Sequence, residues 1–148
     1  FVSERTPTVT SLSRAWIDTV AQDAAFAGVE WQGAAVVEVT TLDALIARFG
    51  LPAFCKIDIE GYELAALQGL SQPLPLLSFE YIASARALAR KCVEQLATLG
   101  RYEYNWSPGE RHQLQSERWL PHVELCAWLE SPAPAAGSGD IYARLIVA

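Results

Sequence analysis

The chain has 148 residues, 51% of them hydrophobic, with a formal net charge of -6 and a pI near 4.9. That is enough apolar side chain to bury the core of one domain, which excludes a disordered chain. Eleven Lys+Arg with no basic block argue against a nucleic-acid partner; the acidity itself needs no cause beyond solubility.

In chain order, the first 34 residues are mixed. Leu12, Trp16, Ile17 and Val20 share one helical face, which predicts a short helix over residues 13–22 with loop to Gly33. AAVVEVTT (34–41) predicts a short strand. TLDALIARFG predicts a helix with Thr41 as N-cap, Asp43 in the first turn and a stripe of Leu42, Leu45, Ile46 and Phe49. Gly50 and Pro52 end it. FCKIDIE (54–60) predicts a strand, GYELAALQGL a helix and LLSFEYI (76–82) a strand. SARALARKCVEQLATLG predicts a helix capped by Ser84, with Gly100 past its end. RYEYNW (101–106) predicts a strand and the stretch after Pro121 a helix over residues 123–129. PAPAAGSG (132–139) predicts a turn-forming connector and DIYARLIVA (140–148) a closing strand.

Alternating strands and helices with short connections specify an α/β fold, a parallel sheet with crossover helices. The last strand, which follows no long helix, is expected to be antiparallel. Residues 1–34 form an N-terminal segment, a candidate lid, and 35–148 the body of the domain. Cys55, Cys92 and Cys126 are odd in number, lack a CxxC pair and sit among apolar neighbours, so they read as free thiols in a reducing compartment. His112 and His122 lack zinc-site spacing. No apolar run reaches membrane length and no signal-peptide pattern occurs, so a cytoplasmic location is expected. The five tryptophans read as packing residues.

Lys56, Asp58 and Glu60 alternate along FCKIDIE and so share one face of the predicted strand. In open α/β sheets ligands bind beyond the carboxyl ends of the strands. Asp58 and Glu60 on one strand and Glu80 on another would converge there if the strands are neighbours. They are the candidate catalytic residues. The structural alternatives are that Glu60 favours a helix N-terminus and that Lys56 pairs with Asp58 or Glu80 as a bridge. GSGD (137–140) precedes a strand and does not join a strand to a helix. It lacks the context of a phosphate loop and reads as a hairpin turn. No GxSxG elbow supports serine catalysis.

These stretches resemble the FkbM family of methyltransferases. The likeness rests on Thr41-Leu42-Asp43, the run Lys56-Ile57-Asp58-Ile59-Glu60-Gly61, Glu63 and Gly69, with LSFEYI, the tryptophan-rich stretch and GDIYAR (139–144) in support. It runs over roughly residues 9 to 147 and covers the C-terminal part of a Rossmann-like class I domain. The family's glycine-rich loop has no counterpart in the 148 residues. The resemblance implies S-adenosylmethionine as cofactor and O-methylation of a sugar or secondary-metabolite hydroxyl, so the expected partner is a small-molecule acceptor. It places KIDIE as the fourth strand and LSFEYI as the fifth. It also puts Asp58, Ile59 and Gly61 beside the reactive methyl group. Ser11 and Trp16, with Tyr62 beyond the strand, are candidate substrate-binding residues.

An acid here could take the acceptor proton as general base, or Asp58 with Glu80 could hold Mg²⁺ or Mn²⁺. No dedicated metal site follows from the sequence. A non-catalytic α/β module that binds a partner or self-associates is the alternative from another class. A barrel phosphodiesterase is disfavoured because the chain has too few βα units.

Overall fold

The computed structural model describes residues 1–131 and 137–146. Its centre is a five-stranded sheet of β1 (Cys55–Ile57), β2 (Leu76–Ile82), β3 (Tyr102–Pro108), β4 (Leu120–Pro121) and β5 (Ser138–Leu145), in the order β1-β2-β5-β3-β4. β1 and β2 are parallel, joined through helix α3 (Glu63–Gln68). β5 inserts antiparallel between β2 and β3, as expected of the closing strand. The open sheet leaves no barrel.

Alternation makes the two faces of the sheet chemically different. Leu77, Phe79, Tyr81, Tyr104, Ile141 and Ala143 are buried and form the core with Ala89, Cys92, Val93 and Leu96 of α4 (Arg86–Leu99). α5 (His122–Glu130) adds Leu125 and Leu129. On the other face the register sets Lys56 beside Ser78, Ser78 beside Tyr142 and Tyr142 beside Asn105. One row further on, Glu80 faces Asp140 and Asp140 faces Ser107. That polar row lies near the carboxyl end of β2.

Residues 1–34 fold over this rim. Helix α1 (Arg14–Val20), shorter than the span predicted for it, is capped by the Ser13 side chain. It buries Trp16, Ile17 and Val20 against Ile82, with Phe26 and Trp31 packed around them. Helix α2 (Leu42–Phe49) has its predicted Thr41 cap. Leu42 and Ile46 of its stripe pack on the core, whereas Leu45 and Phe49 stay exposed.

Several expectations are corrected. Residues 34–41 do not form a strand, because they find no neighbouring backbone to pair with; Val36 and Val39 are 104% and 70% exposed. The FCKIDIE strand stops at Ile57, because Glu60 (φ 51°) and Gly61 (φ 88°) turn left-handed. Ser84 caps nothing; it lies in a 3₁₀ turn over Ala83–Ala85 that precedes α4. The short edge strand β4 is an addition that a two-residue segment containing a proline does not announce. GSGD is no hairpin turn, since its last three residues already belong to β5, which follows a helix. Residues 132–136 of the connector and 147–148 of the final strand lie outside the described residues. The three cysteines are free. No helix among the described residues is long and apolar enough to cross a membrane.

Candidate functional site

The site grows out of the turn between β1 and α3. Glu63, the first residue of α3, is 2% exposed, and its Oε1 accepts hydrogen bonds from the backbone N–H of Ile59 (3.2 Å) and Gly61 (3.1 Å). Trp16 braces the turn from outside. A Cβ on Gly61 would lie 2.1 Å from Trp16 Cγ, so only glycine lets the ring close over this backbone. Ser11 Oγ donates to the Glu60 carbonyl at 2.5 Å. The neighbouring Glu63 and two residues of the distant N-terminal segment thus hold residues 59–61 in one shape.

That shape aims carboxylates inward. Oxygens of Asp58, Glu60 and Glu80 lie within 4.8 Å of one another. The alternation predicted for residues 56–60 is absent, yet the turn that replaces it still gathers the three acids. Burial raises the Glu80 carboxyl to about 8, with the charges of Glu60, Asp58, Glu63 and Asp140 adding to it. Glu60 is raised to about 7, by burial first and then by Asp58 and Glu63. Among the described residues neither Glu60 nor Glu80 has an ion-pair partner. The local cation, Lys56, is spent elsewhere. Its Nζ lies 3.2 Å from Asp140 Oδ2 and 3.4 Å from Asp58 Oδ2. The predicted bridge to Asp58 is present, whereas Glu80 takes no part. Burial works to lower the Lys56 pKa, but the pairing with Asp140 and Asp58 outweighs it and the net shift is upward.

Two cavities meet at these acids. The larger, about 690 Å³, is lined by Asp58, Ile59, Glu60 and Glu80, together with Ser11 and Thr10. The smaller, about 310 Å³, also has Glu60 and Glu80 in its wall. Trp16, 4% exposed, lines neither, nor does half-buried Tyr62. Gly61 also lies outside both and acts through the shape of the turn.

Sequence reasoning assigned no role to Asp140 and none beyond the family pattern to Glu63. For Glu63 the signal was an acid two residues past a turn glycine. For Asp140 the sequence carried none, because its neighbour Glu80 is 60 positions away and becomes adjacent only when β5 enters the sheet.

Three converging carboxylates can do two things. They can accept a proton near neutral pH, or supply the oxygen ligands that Mg²⁺ or Mn²⁺ prefers. A family model described as the Methyltransferase FkbM domain matches residues 6–88, more than half of the chain. All three acids fall inside the match. No curated protein and no solved structure matches the chain.

Proposed function

Because the chain belongs to the FkbM methyltransferase domain family, we propose that it works in S-adenosylmethionine-dependent O-methylation, with Asp58, Glu60 and Glu80 at the reacting centre. The observation that carries this is the meeting of three acids between two cavities at the carboxyl end of neighbouring parallel strands. When bound, S-adenosylmethionine supplies a methyl group activated on a sulfonium.

The larger cavity suits the reacting end of that cofactor. Its volume is in the range of small-molecule sites. Its carboxylates complement a sulfonium and an ammonium, and Asp58 and Ile59 line it. A glycine-rich turn for the adenosine end is not among the described residues, so the fit concerns the methionine end.

The acceptor hydroxyl gives its proton to Glu60 or Glu80. With the cofactor bound, the oxygen lone pair would form the new O–C bond while the S–C bonding pair would remain on sulfur. Carboxyls raised to about 7 and 8 exchange protons close to working pH. A divalent ion on the same acids would instead lower the hydroxyl pKa. Ser11 and Trp16 act through the turn that carries these acids, and residues 1–34 act as the wall of the site.

Calorimetric titration with S-adenosylhomocysteine, with and without Mg²⁺, tests this. Micromolar binding, with label transfer to hydroxyl acceptors that falls at least about 100-fold in Asp58→Asn, is expected. No binding in either condition, or full activity in Asp58→Asn, would sink it. The exposed apolar side chains Val36, Val37, Val39, Phe49 and Phe54 favour a second reading, a module that self-associates. A strictly monomeric species in sedimentation velocity counts against that.

A further inference from the structure

We propose that the 310 Å³ cavity is the acceptor pocket, and that it takes a compact alcohol with an apolar body in preference to a sugar. This rests on the methyltransferase reading and gives it a substrate class.

The position of the pocket comes first. Glu60 and Glu80 belong to the walls of both cavities, so a hydroxyl entering the smaller one meets the same carboxylates that face the larger. A transfer reaction needs two compartments joined at the proton acceptor, and among the described residues no other pair lies in both walls.

The lining gives the class. Val9, Phe26, Val29 and Ile82 form an apolar wall. It is a fixed wall. Ile82 is 6% exposed, Phe26 stands edge-on to Trp16 at 5.6 Å, and the Val9 carbonyl accepts from Trp31 Nε1 at 2.8 Å. The rest of the lining adds three polar side chains, Thr6, Asp23 and Ser138. Asp23 is partly engaged, since its carboxylate accepts from the Ala25 N–H at 3.0 Å and pairs with the Ser84 side chain. Glu60 and Glu80 aside, the only side-chain donors of this lining, among the described residues, are then the two hydroxyls of Thr6 and Ser138. A pyranoside buried here would leave most of its own hydroxyls without partners, which a pocket of this kind penalises. A single hydroxyl on a hydrocarbon frame satisfies Glu60 or Glu80 and buries the rest. The volume sits at the small end of ligand sites, which limits the frame to a compact one.

The test is calorimetric titration of the 148-residue chain with borneol, a compact bicyclic alcohol, and with methyl α-D-glucopyranoside, with S-adenosylhomocysteine in a parallel arm. Borneol is expected to bind on the order of 100-fold more tightly than the glucoside. Val29→Trp, which fills the pocket, should weaken borneol at least about tenfold and leave S-adenosylhomocysteine affinity unchanged. Should that variant not fold, Val29→Ala decides: the enlarged pocket should shift preference toward the bulkier 1-adamantanol. Equal or tighter glucoside binding overturns the proposal, as does borneol affinity unmoved in Val29→Trp or a preference unmoved in Val29→Ala. If S-adenosylhomocysteine binds and borneol does not, the pocket assignment fails while the methyltransferase reading stands. If S-adenosylhomocysteine does not bind, that reading fails and the acceptor assignment falls with it, whatever borneol does.

Discussion

Replacing Glu80 by Gln should make the protein more stable at alkaline pH and flatten its pH dependence. The folded chain raises this carboxyl from 4.5 to about 8, so it holds the proton more tightly than the unfolded chain does. Stability from this group is therefore complete below pH 4.5 and is lost as the pH rises through about 8. At about 1.36 kcal/mol per pH unit the full span amounts to roughly 5 kcal/mol, an upper bound. Glu80 borders two open cavities and titrates beside Glu60, itself raised to about 7, so screening and coupling reduce the figure to about 2 kcal/mol. A neutral amide escapes the penalty and removes one like charge from Glu60. Thermal unfolding by circular dichroism at pH 5 and pH 8.5, at fixed ionic strength, reads the difference. At pH 8.5 the variant should melt about 4–8 °C above wild type, at 2–4 °C per kcal/mol for a chain of this size. At pH 5 the two should nearly coincide. A variant that melts lower at pH 8.5, or keeps the wild-type slope, would refute the burial argument.

Gly61→Ala should destabilise by about 3 kcal/mol or more, from a methyl driven into Trp16 at a left-handed φ; urea unfolding measures it, and a loss below about 1 kcal/mol would show that the ring moves freely. Lys56→Met strands Asp140, whose side chain is 9% exposed. Because the Lys56 side chain is itself 47% exposed, the expected cost is about 1–2 kcal/mol, less than for a fully buried pair. Adding Asp140→Asn should recover most of that loss, and strictly additive costs in the double-mutant cycle would show that the pair carries no coupling.

The elements with strong periodic or capping signals are legible in the sequence alone. The cap of α2 at Thr41, the span of β2 and the end of α4 at Gly100 depend on neighbours within a few residues, where spacing carries the information. The convergence of Asp58, Glu60 and Glu80 is legible because carboxylates at the ends of parallel strands have one place to go. Inferences that need a distant partner are the ones that fail. AAVVEVTT has the composition of a strand, but a strand exists only against another backbone. The Lys56–Asp140 pair is hidden for the same reason: it joins β1 to β5, two strands apart in the sheet and 84 residues apart in sequence.

The turn at residues 58–61 also explains why the expected strand and the observed turn lead to the same three acids. Continued alternation would have set Glu60 on the sheet face, one row beyond Asp58. Instead Glu60 adopts φ 51°, a conformation unfavourable for a side-chain-bearing residue. Ser11, Glu63 and Trp16 hold it there. Amides at Glu60 and Glu80 would fill the same volume without like-charge repulsion, and the nearby lysine is already engaged by Asp58 and Asp140. Strain and repulsion at one place, the repulsion removable by exchanging one carboxylate oxygen for an amide nitrogen, mark a site kept for something other than stability. Glu60 and Glu80, which have no ion-pair partner among the described residues, share a demand for a positive partner: a proton taken from a hydroxyl, a sulfonium or a divalent ion. The methyl-transfer reading calls on the first two at once, which is why Glu80→Gln should gain stability and lose turnover in the same molecule.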